Sequence, residues 1–475
     1  MPDRQMLRLS DAALFALLAG LGGFAIAAFA PQIFNDGDTY WHIRAGQWML
    51  AHHAVIRRDI FSYTMAGKPW PAQEWLSEIL MALAWKAGGW RALHILFGFA
   101  AGATAAILGY ALRDRFSPLA AFVALVFGAC AIVPSLLARP HLLALPVLAG
   151  WCLGLVRARE TDLAPSPWLL LLMPLWANLH GSFMFGIALA GALALEAAFE
   201  TPPEQRLQTI RGWALFVAAA LLAALATPHG VAGILFPFRL LGMTGLSYVS
   251  EWKSADFSTL QPFELAILAA VFVIATRGVR LTALRALILL SLVHMSLQHV
   301  RHVLLLGTAG TLLLATPLAG VFAGEPRRSR ANSLGAVAVA AVLALLIGLR
   351  LALPVVRGDD AASPVTALAQ VPAALRQAPV LNDYTLSGYL MFRGIRTFID
   401  GRVELYNGPF FANDMAIQQG NRAALIATLA RYHIRWTIMA AGEPANGLLA
   451  GLPGWHRLYA DRYAVIYACG YCAPG

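Results

Sequence analysis

Long apolar runs alternate with short polar segments from Ala12 to Arg350. A run of about 20 residues is long enough to cross roughly 30 Å of hydrocarbon as a helix. The apolar segment Leu163 to Leu195 is too long for one crossing, and Pro174 and Asn178-Leu179-His180-Gly181 interrupt it, so we predict two short helices there. The pattern therefore predicts about eleven transmembrane helices, near residues 12–34, 92–112, 116–138, 139–156, 163–195 (two), 212–228, 259–276, 282–298, 303–323 and 331–350.

Composition supports a polytopic membrane protein. Of the 475 residues 59% are hydrophobic and 13% are charged, and the mean hydropathy is +0.64. The net charge of +10 comes largely from arginines beside helix ends, which mark a cytoplasmic face, so the N-terminus is expected inside and no basic tract suits a nucleic acid. Those residues are Arg4, Arg8, Arg113, Arg115, Arg157, Arg159, Arg206, Arg211, Arg277, Arg280, Arg285, Arg327, Arg328 and Arg330.

The first apolar run is expected to remain as an uncleaved anchor. It is longer than the ~7 to 15 apolar residues of a secretory signal, and Pro31 would occupy the first position after a cut at Ala28-Phe29-Ala30. With this topology, Asp36-Gly37-Asp38-Thr39-Tyr40-Trp41-His42 lies just outside the membrane. Carboxylates are costly near hydrocarbon, so this pair is a candidate functional site.

The unusual polar side chains all fall in the predicted outer loops. Carboxylates, histidines and arginines in five such loops predict a site open to the outer leaflet, suited to a substrate on a membrane-bound carrier. By loop, they are Asp36, Asp38, His42, Glu74 and Glu78; Arg139 and His141; Asn178 and His180; His229, Glu251, Lys253 and Asp256; and Gln298, His299, Arg301 and His302.

The first outer loop, residues 35–90, contains two predicted helices. Tyr40 to Leu50 places Trp41, Ala45 and Trp48 on one side, a pattern typical of a helix in the membrane interface. Gln73 to Lys86 separates an apolar face from a face with Glu74 and Glu78.

Residues 354–475 change to a mixed polar and apolar pattern and predict a small α/β domain on the outer side, after a transmembrane domain of residues 1–353. The predicted strands are Pro379-Val380-Leu381, Thr397-Phe398-Ile399, Trp436 to Met439 and Ala464 to Tyr467, with a helix from Arg422 to Tyr432. Cys130 and Cys152 fall in predicted spans, whereas Cys469 and Cys472 form a Cys-x-x-Cys that is either a disulfide staple or without a role.

The chain resembles the GT-C class of bacterial polytopic glycosyltransferases, which use polyprenyl-phosphate-linked sugars. The resemblance lies in the carboxylate motif after the first helix and in the loop residues from Asp59-x-Phe61-Ser62-Tyr63-Thr64 to Glu74-Trp75-Leu76. It extends to Trp176-Ala177-Asn178-Leu179-His180-Gly181, Glu251-Trp252-Lys253-Ser254-Ala255-Asp256 and Phe398-Ile399-Asp400-Gly401-Arg402-Val403-Glu404-Leu405-Tyr406.

This resemblance implies that Asp36 or Asp38 is the catalytic carboxylate, taking a proton from an acceptor as it attacks the sugar. Arg301, with His299 and His302, would stabilise the leaving phosphate. His42, Glu74, Glu78, His180, Glu251 and Asp256 are further site candidates. The implied partners are a polyprenyl-phosphate sugar donor, a lipid, glycan or protein acceptor, and membrane lipid, in a bacterial inner membrane.

Structural interpretations stand beside these roles. Asp38 precedes a helix that is predicted to start at Thr39, so Asp38 is a candidate for the helix N-cap. Asp36 is then either a solvated carboxylate or the catalytic one. Glu74 and Glu78 lie one helical turn apart, either on an exposed polar face or around a divalent metal, so the cofactor stays open. Arg301 is either an ordinary interfacial arginine, whose side chain extends from a helix end to the membrane surface, or a residue that binds a phosphate.

Two other function classes remain. A lipid-linked-sugar flippase would favour inverted repeats around a midplane site, which the sequence does not show. A non-enzymatic envelope assembly or sensor protein would use Asp383, Asp400, Arg402 and Glu404 to recognise a partner, although these residues suit an active-site cover equally. No Trp-Trp-Asp motif is present, which argues against an oligosaccharyltransferase that reads a protein sequon.

Overall fold

The computed structural model describes residues 10–322 and 333–470, and most of them are helical. The N-terminal part contains α1 Asp11–Phe29, α2 Gly37–His52, α3 Trp75–Arg113, α4 Pro118–Ile132, α5 Pro140–Glu160, α6 Leu172–Leu179, α7 Phe183–Glu200, α8 Pro203–Ala224, α9 Val231–Leu241, α10 Pro262–Arg277, α11 Ala283–Gln298, α12 Val303–Leu305, α13 Thr311–Phe322 and α14 Ser333–Ala352. A π-helical turn, Leu306–Gly310, joins α12 to α13.

Every one of the predicted spans contains a helix. In the described ranges, 8 helical segments are long and apolar enough to cross a membrane. The interrupted segment does form two helical pieces, Pro167–Leu179 and α7, and the break falls at the polar turn near His180, whereas Pro174 lies inside the first piece. Pro167–Leu179 and α11 are shorter apolar helices, so the count of eleven crossings stays a prediction, as does the side on which each loop lies.

The first loop is a packed structure. Helix α2 lies against the N-terminal part of α3, and the backbone leaves helical geometry at Gly88 and Gly89 before α3 continues as an apolar helix. The two helices predicted for this loop are therefore confirmed. Between them, Arg58 pairs with Pro69 in a short antiparallel bridge.

The C-terminal region is an α/β unit with a four-stranded sheet of order β1-β2-β4-β3. Strands β1 and β2 are parallel, with Leu381 opposite Thr437, whereas β4 runs antiparallel to both β2 and β3. Its elements are α15 Val365–Ala369, α16 Ala373–Arg376, β1 Val380–Asn382, α17 Ser387–Phe392, α18 Gly408–Gln418, α19 Arg422–Arg431, β2 Trp436–Ala440, α20 Ala445–Ala450, β3 Trp455–Ala460 and β4 Ala464–Cys469.

One predicted strand of this region is wrong. Residues 397–399 are buried but form no strand of the sheet. Thr397 makes only an isolated parallel bridge with Ser62, and the side chain of Asn382 accepts from the Phe398 N–H at 2.7 Å and donates to the Ile399 carbonyl at 2.9 Å. A side chain thus takes the hydrogen bonds that a neighbouring strand would have taken. Strand β3 was not predicted, because it is largely exposed.

The C-terminal unit shares its interior with the first loop, residues 35–90. Trp41, Phe61 and Trp70 belong to the same buried cluster as Phe398 and Tyr406. Because this apolar surface is covered only when the two regions meet, the loop and the C-terminal unit hold each other in place.

Hydrogen bonds join the same two regions. The Tyr63 hydroxyl donates to the Val380 carbonyl at 2.8 Å, and the Thr64 hydroxyl donates to the Phe398 carbonyl at 2.6 Å. The domain boundary at residue 354 remains a prediction.

The two cysteines predicted to lie in membrane spans are found inside helices. Cys130 and Cys152 are free thiols inside α4 and α5. Cys469 ends β4 and is disulfide-bonded, whereas Cys472 lies outside the described residues.

Candidate active site

A cavity of about 930 Å³ lies where the predicted outer loops meet the C-terminal unit. Its walls come from all five of those loops and from three segments of residues 354–475, near Ala361, near Tyr384 and near Gly401. The structure therefore brings together side chains that are far apart in sequence. The predicted site residues that line it are Asp36, Asp38, His42, Glu74, Glu78, His180, Glu251, Arg301 and His302.

Asp36 caps the N-terminus of α2. Its Oδ1 accepts the backbone N–H of Asp38 at 3.0 Å, and its backbone has the extended conformation of an N-cap, φ −148° and ψ 125°. The predicted helix start at Thr39, with Asp38 as the capping candidate, is wrong, because Gly37 and Asp38 already form the first turn. The cap is the first acid of the pair.

Arg139 occupies both oxygens of the Asp36 carboxylate. Its Nη2 donates to Oδ1 at 2.8 Å and its Nε donates to Oδ2. Asp36 is only 8% exposed. An acid that caps a helix and pairs with a guanidinium through both oxygens has little freedom to accept a proton from a substrate.

Asp38 is the more accessible acid. It lies on the first turn of α2 with its side chain 22% exposed, Oδ1 accepts from Trp41 Nε1 at 2.9 Å, and Oδ2 lies 3.1 Å from Arg139 Nη1. Burial raises the pKa of Asp38 to about 7, and the neighbouring carboxylates of Asp36 and Glu251 act in the same direction against Arg139. A carboxyl group with such a pKa exchanges a proton near neutral pH.

Glu251 connects the two arginines of the cavity. Its Oε2 accepts from Arg139 Nη1 at 2.7 Å and its Oε1 accepts from Arg301 Nη1 at 3.0 Å. Burial alone would raise the pKa of Glu251, but Arg301 and Arg139 outweigh it and lower the pKa to about 2. Glu251 is therefore ionised at neutral pH and holds both guanidinium groups in place.

Arg301 is positioned on an aromatic surface. Its Cζ lies 4.4 Å from the centre of the Trp252 ring, and its side chain is 26% exposed to the cavity. Because only Nη1 is engaged by Glu251 among its recorded contacts, the planar guanidinium presents further N–H groups toward the cavity. This arrangement suits an anionic group such as a phosphate.

Two residues predicted for the site lie outside the cavity wall. His299 Nδ1–H donates to the Trp252 carbonyl at 2.6 Å, so it supports the loop that carries Trp252. Asp256 is exposed and accepts from the Ser258 N–H at 2.8 Å in a local turn. His302 does line the cavity, but its Nδ1 is 3.2 Å from the Met295 carbonyl.

A second group of polar side chains lines the cavity beside the α3 N-terminus. His42 Nδ1 lies 3.2 Å from Glu78 Oε1, and His42 Nε2 lies 3.9 Å from Glu74 Oε2. On the other side of Glu74, His180 Nε2 lies 3.3 Å from Oε1. His180 Nδ1 accepts the Ser182 N–H at 3.1 Å, so the ring proton is on Nε2 and points to Glu74.

The C-terminal unit closes one side of the cavity. Gly401 packs so tightly on the acidic turn that a Cβ there would lie 2.3 Å from Asp38 Oδ1. Glu404 accepts from Trp70 Nε1 at 2.6 Å, and the fully buried Arg402 pairs with Asp400 and with Asp59 of the first loop. The interpretation of these residues as a cover of the site agrees with their position.

Sequence reasoning did not assign a role to Arg139, the residue at the centre of the site. Its signal was weak, because an arginine before Pro140 at a helix start looks like an ordinary interfacial residue. Within residues 10–322 and 333–470, no group of three or more His, Cys, Asp and Glu side chains is arranged to hold a metal ion. Arg139 supplies the positive charge between the three acids, Asp36, Asp38 and Glu251.

Comparison with solved structures finds several matches, and one of them is an oligosaccharyltransferase. The crystal structure of the Archaeoglobus fulgidus oligosaccharyltransferase in the apo form gives a TM-score of 0.47 and 10% sequence identity, covering 90% of this chain and 69% of that chain. No family model and no curated protein matches the sequence. The functional interpretation therefore depends on the cavity's own residues.

Proposed function

We propose that this protein is a membrane glycosyltransferase that transfers a sugar from a polyprenyl-phosphate-linked donor to an acceptor at the outer face of a bacterial cytoplasmic membrane. The observation that carries this proposal is the position of Asp38, a carboxyl group with a pKa of about 7, in one cavity with Arg139 and Arg301. A base and two cations around one void are what transfer of a phosphate-linked sugar needs.

In the proposed reaction, the acceptor oxygen or nitrogen forms a bond to the anomeric carbon of the sugar while the bond from that carbon to the phosphate oxygen breaks. The acceptor's proton passes to Asp38, and the electron pair of the broken bond stays on the leaving phosphate. Arg301 would bind that phosphate, and Arg139 keeps Asp38 oriented through the 3.1 Å contact. Attack opposite the leaving group inverts the anomeric configuration.

The apolar helices around the cavity fit a donor carried on a lipid. The cavity wall includes Leu304 and Leu305 of α12 and Phe236 and Phe238 of α9 beside the polar groups. A prenyl chain can remain among such side chains while its phosphate reaches Arg301, because burying apolar surface is favourable. The acceptor, whether lipid, glycan or protein, would enter from the side of the C-terminal unit.

The test is release of farnesyl phosphate from a panel of synthetic farnesyl-phosphate sugars by the purified full-length protein in nanodiscs, with water or an added glycoside as the acceptor that takes the sugar. We expect Asp38→Asn to lower the rate by about 10²- to 10⁴-fold, because the amide keeps the shape of the carboxylate and cannot take the proton. Asp256→Asn is the matched control, since this exposed acid lies outside the cavity wall, and it should retain the wild-type rate. Full activity of Asp38→Asn would refute the assignment of the base.

A further inference from the structure

Two buried side chains on the cavity wall carry polar atoms that have no hydrogen-bond partner among the described residues. Gln73 is 6% exposed and Glu78 is 1% exposed, and both line the cavity. Among the residues that the structure describes, neither the carbonyl oxygen nor the amide nitrogen of Gln73 has a hydrogen-bond partner, and neither has Glu78 Oε2. Leaving such groups unpaired in the interior is unfavourable, so ordered water or the polar groups of a ligand are expected to pair with them.

The surrounding side chains hold these groups in fixed places. Glu78 Oε1 is engaged by His42, and Glu74, one residue after Gln73, is held between His42 and His180. Glu74 and Glu78 are one turn apart along the chain, at the start of α3, and both line the cavity. The unpaired atoms therefore belong to a built polar wall rather than to a flexible surface.

This wall is separate from the group that we assign to the phosphate. Asp36, Asp38 and Glu251 surround Arg139, and Glu251 also binds Arg301. No ion pair or hydrogen bond recorded between described residues joins that group to Glu74 or Glu78. The cavity thus has one half of arginines paired with carboxylates and another half of amide, carboxyl and imidazole groups.

We propose that Gln73, Glu74 and Glu78 form a subsite for a neutral, hydroxyl-rich sugar ring. This inference rests on the proposed function and deepens it, because it names what the second half of the cavity binds. A hydroxyl group both donates and accepts, so adjacent hydroxyls of one ring can satisfy the Gln73 amide nitrogen, its carbonyl oxygen and Glu78 Oε2 together.

The charges around the subsite favour a neutral ligand over a cationic one. Burial raises the pKa of Glu74 to about 8, more than Arg301 lowers it, so this carboxyl group is mostly protonated at neutral pH. Burial also lowers the pKa of His42 and of His180 well below the usual value, so both rings are uncharged. A protonated carboxyl group and neutral imidazoles offer hydrogen bonds without a net charge that would hold an ammonium group.

The sugar in this subsite has two possible sources, the donor and the acceptor, and the same chemistry recognises both. If the donor's sugar binds here, farnesyl phosphoglucose should bind more tightly than farnesyl phosphate, and Gln73→Leu should remove that difference. If the acceptor's sugar binds here, methyl β-glucopyranoside should still bind when farnesyl phosphoglucose is saturating.

The main experiment measures binding of methyl β-glucopyranoside, β-galactopyranoside and α-mannopyranoside to the full-length protein in nanodiscs by saturation-transfer NMR. We expect at least one of these glycosides to bind, and Gln73→Leu to weaken it by about tenfold through the loss of two hydrogen bonds. Glu78→Gln should weaken it as well. The exposed Gln370→Leu is the matched control and should leave binding unchanged.

A second readout separates lost binding from lost folding. Because leucine removes an unpaired buried amide, Gln73→Leu should unfold at a temperature no lower than the wild type. Farnesyl phosphate, which carries no sugar, should bind Gln73→Leu as it binds the wild type and should bind Arg301→Gln about tenfold more weakly.

Three results would overturn the subsite. The first is that none of the glycosides binds the wild type, which would leave only ordered water at these atoms. The second is equal binding to Gln73→Leu and the wild type, and the third is tighter binding of the cationic methyl glucosaminide than of the neutral glycosides. Glycoside binding without any binding of farnesyl phosphate would instead refute the proposed function and leave the subsite standing.

Discussion

Arg402 is the ionic link between the C-terminal unit and the first loop, and its removal should destabilise both. The side chain is 1% exposed, with Nη2 2.7 Å from Asp400 Oδ2 and Nη1 2.6 Å from Asp59 Oδ1. Its Cζ also lies 4.6 Å from the centre of the Trp70 ring. Arg402→Met keeps much of the side chain's volume and leaves two buried carboxylates without their cation.

The expected cost follows from those two carboxylates. Breaking a buried ion pair by removing one partner costs about 3–5 kcal/mol, since the remaining charge stays desolvated. Part of this cost is relieved by the other donors, because the Tyr406 hydroxyl still reaches Asp400 at 2.9 Å and the Ser62 hydroxyl still reaches Asp59 at 2.6 Å. For a unit of this size, about 3 kcal/mol lowers the midpoint of thermal unfolding by roughly 6–12 °C.

The assay is thermal unfolding of the purified full-length protein, followed by tryptophan fluorescence. Arg431→Met is the matched control, because Arg431 is exposed on the same unit and contacts only the ring of Tyr432 among its recorded aromatic and ionic partners. Adding Asp59→Asn and Asp400→Asn to Arg402→Met should recover part of the loss. An unfolding midpoint of Arg402→Met within about 2 °C of the wild type would refute the reasoning, since it corresponds to less than about 1 kcal/mol.

Two further predictions concern Asp38. Gly401→Ala should lower the rate of farnesyl phosphate release by about 10²-fold, because its Cβ would lie 2.3 Å from Asp38 Oδ1 and must displace the base, whereas Gly447→Ala, with nothing within 4 Å, should leave the rate unchanged. The rate should rise with pH to a plateau, with a midpoint of about 7, because burial keeps the carboxyl of Asp38 protonated below that pH and only the ionised form accepts a proton. Glu74→Gln should retain this midpoint, and a rate that does not change between about pH 5.5 and 8.5 would contradict the assignment.

The membrane architecture could be predicted because its signal is local. A helix that crosses hydrocarbon must be apolar along its whole length, so composition in a window of about 20 residues is enough to locate it. The convergence of the loops predicted to be outer also followed from the sequence, because the arginines beside helix ends assigned those loops to one predicted side. The cavity accordingly contains Asp38, Glu74, Glu251 and Arg301, all of which were named as candidates.

The misplaced elements depend on contacts that leave no local pattern. The loop at residues 397–399 has the apolar sequence of a strand, but the Asn382 side chain takes its hydrogen bonds. The start of α2 was misplaced because Asp36 and Asp38 are equally good caps by residue type, and the choice depends on which of them has extended backbone angles. No sequence pattern marks Gln73 as a site residue, because whether its amide is paired depends only on the residues that surround it in the fold.

The structure also explains how the two acids of Asp36-Gly37-Asp38 come to differ. A Cβ on Gly388 of the C-terminal unit would lie 1.8 Å from the Gly37 carbonyl oxygen, so glycine there lets that unit lie directly on the turn between the acids. Gly401 of the same unit packs on Asp38. Asp36 instead pairs with Arg139, which directly precedes α5. The first acid is therefore fixed as cap and counter-ion, whereas the second is partly buried by a neighbour and pairs with Arg139 through one oxygen only. Burial of that kind raises a carboxyl pKa toward neutrality, and hence the C-terminal unit, by packing on this turn, contributes to the basicity on which the proposed chemistry depends.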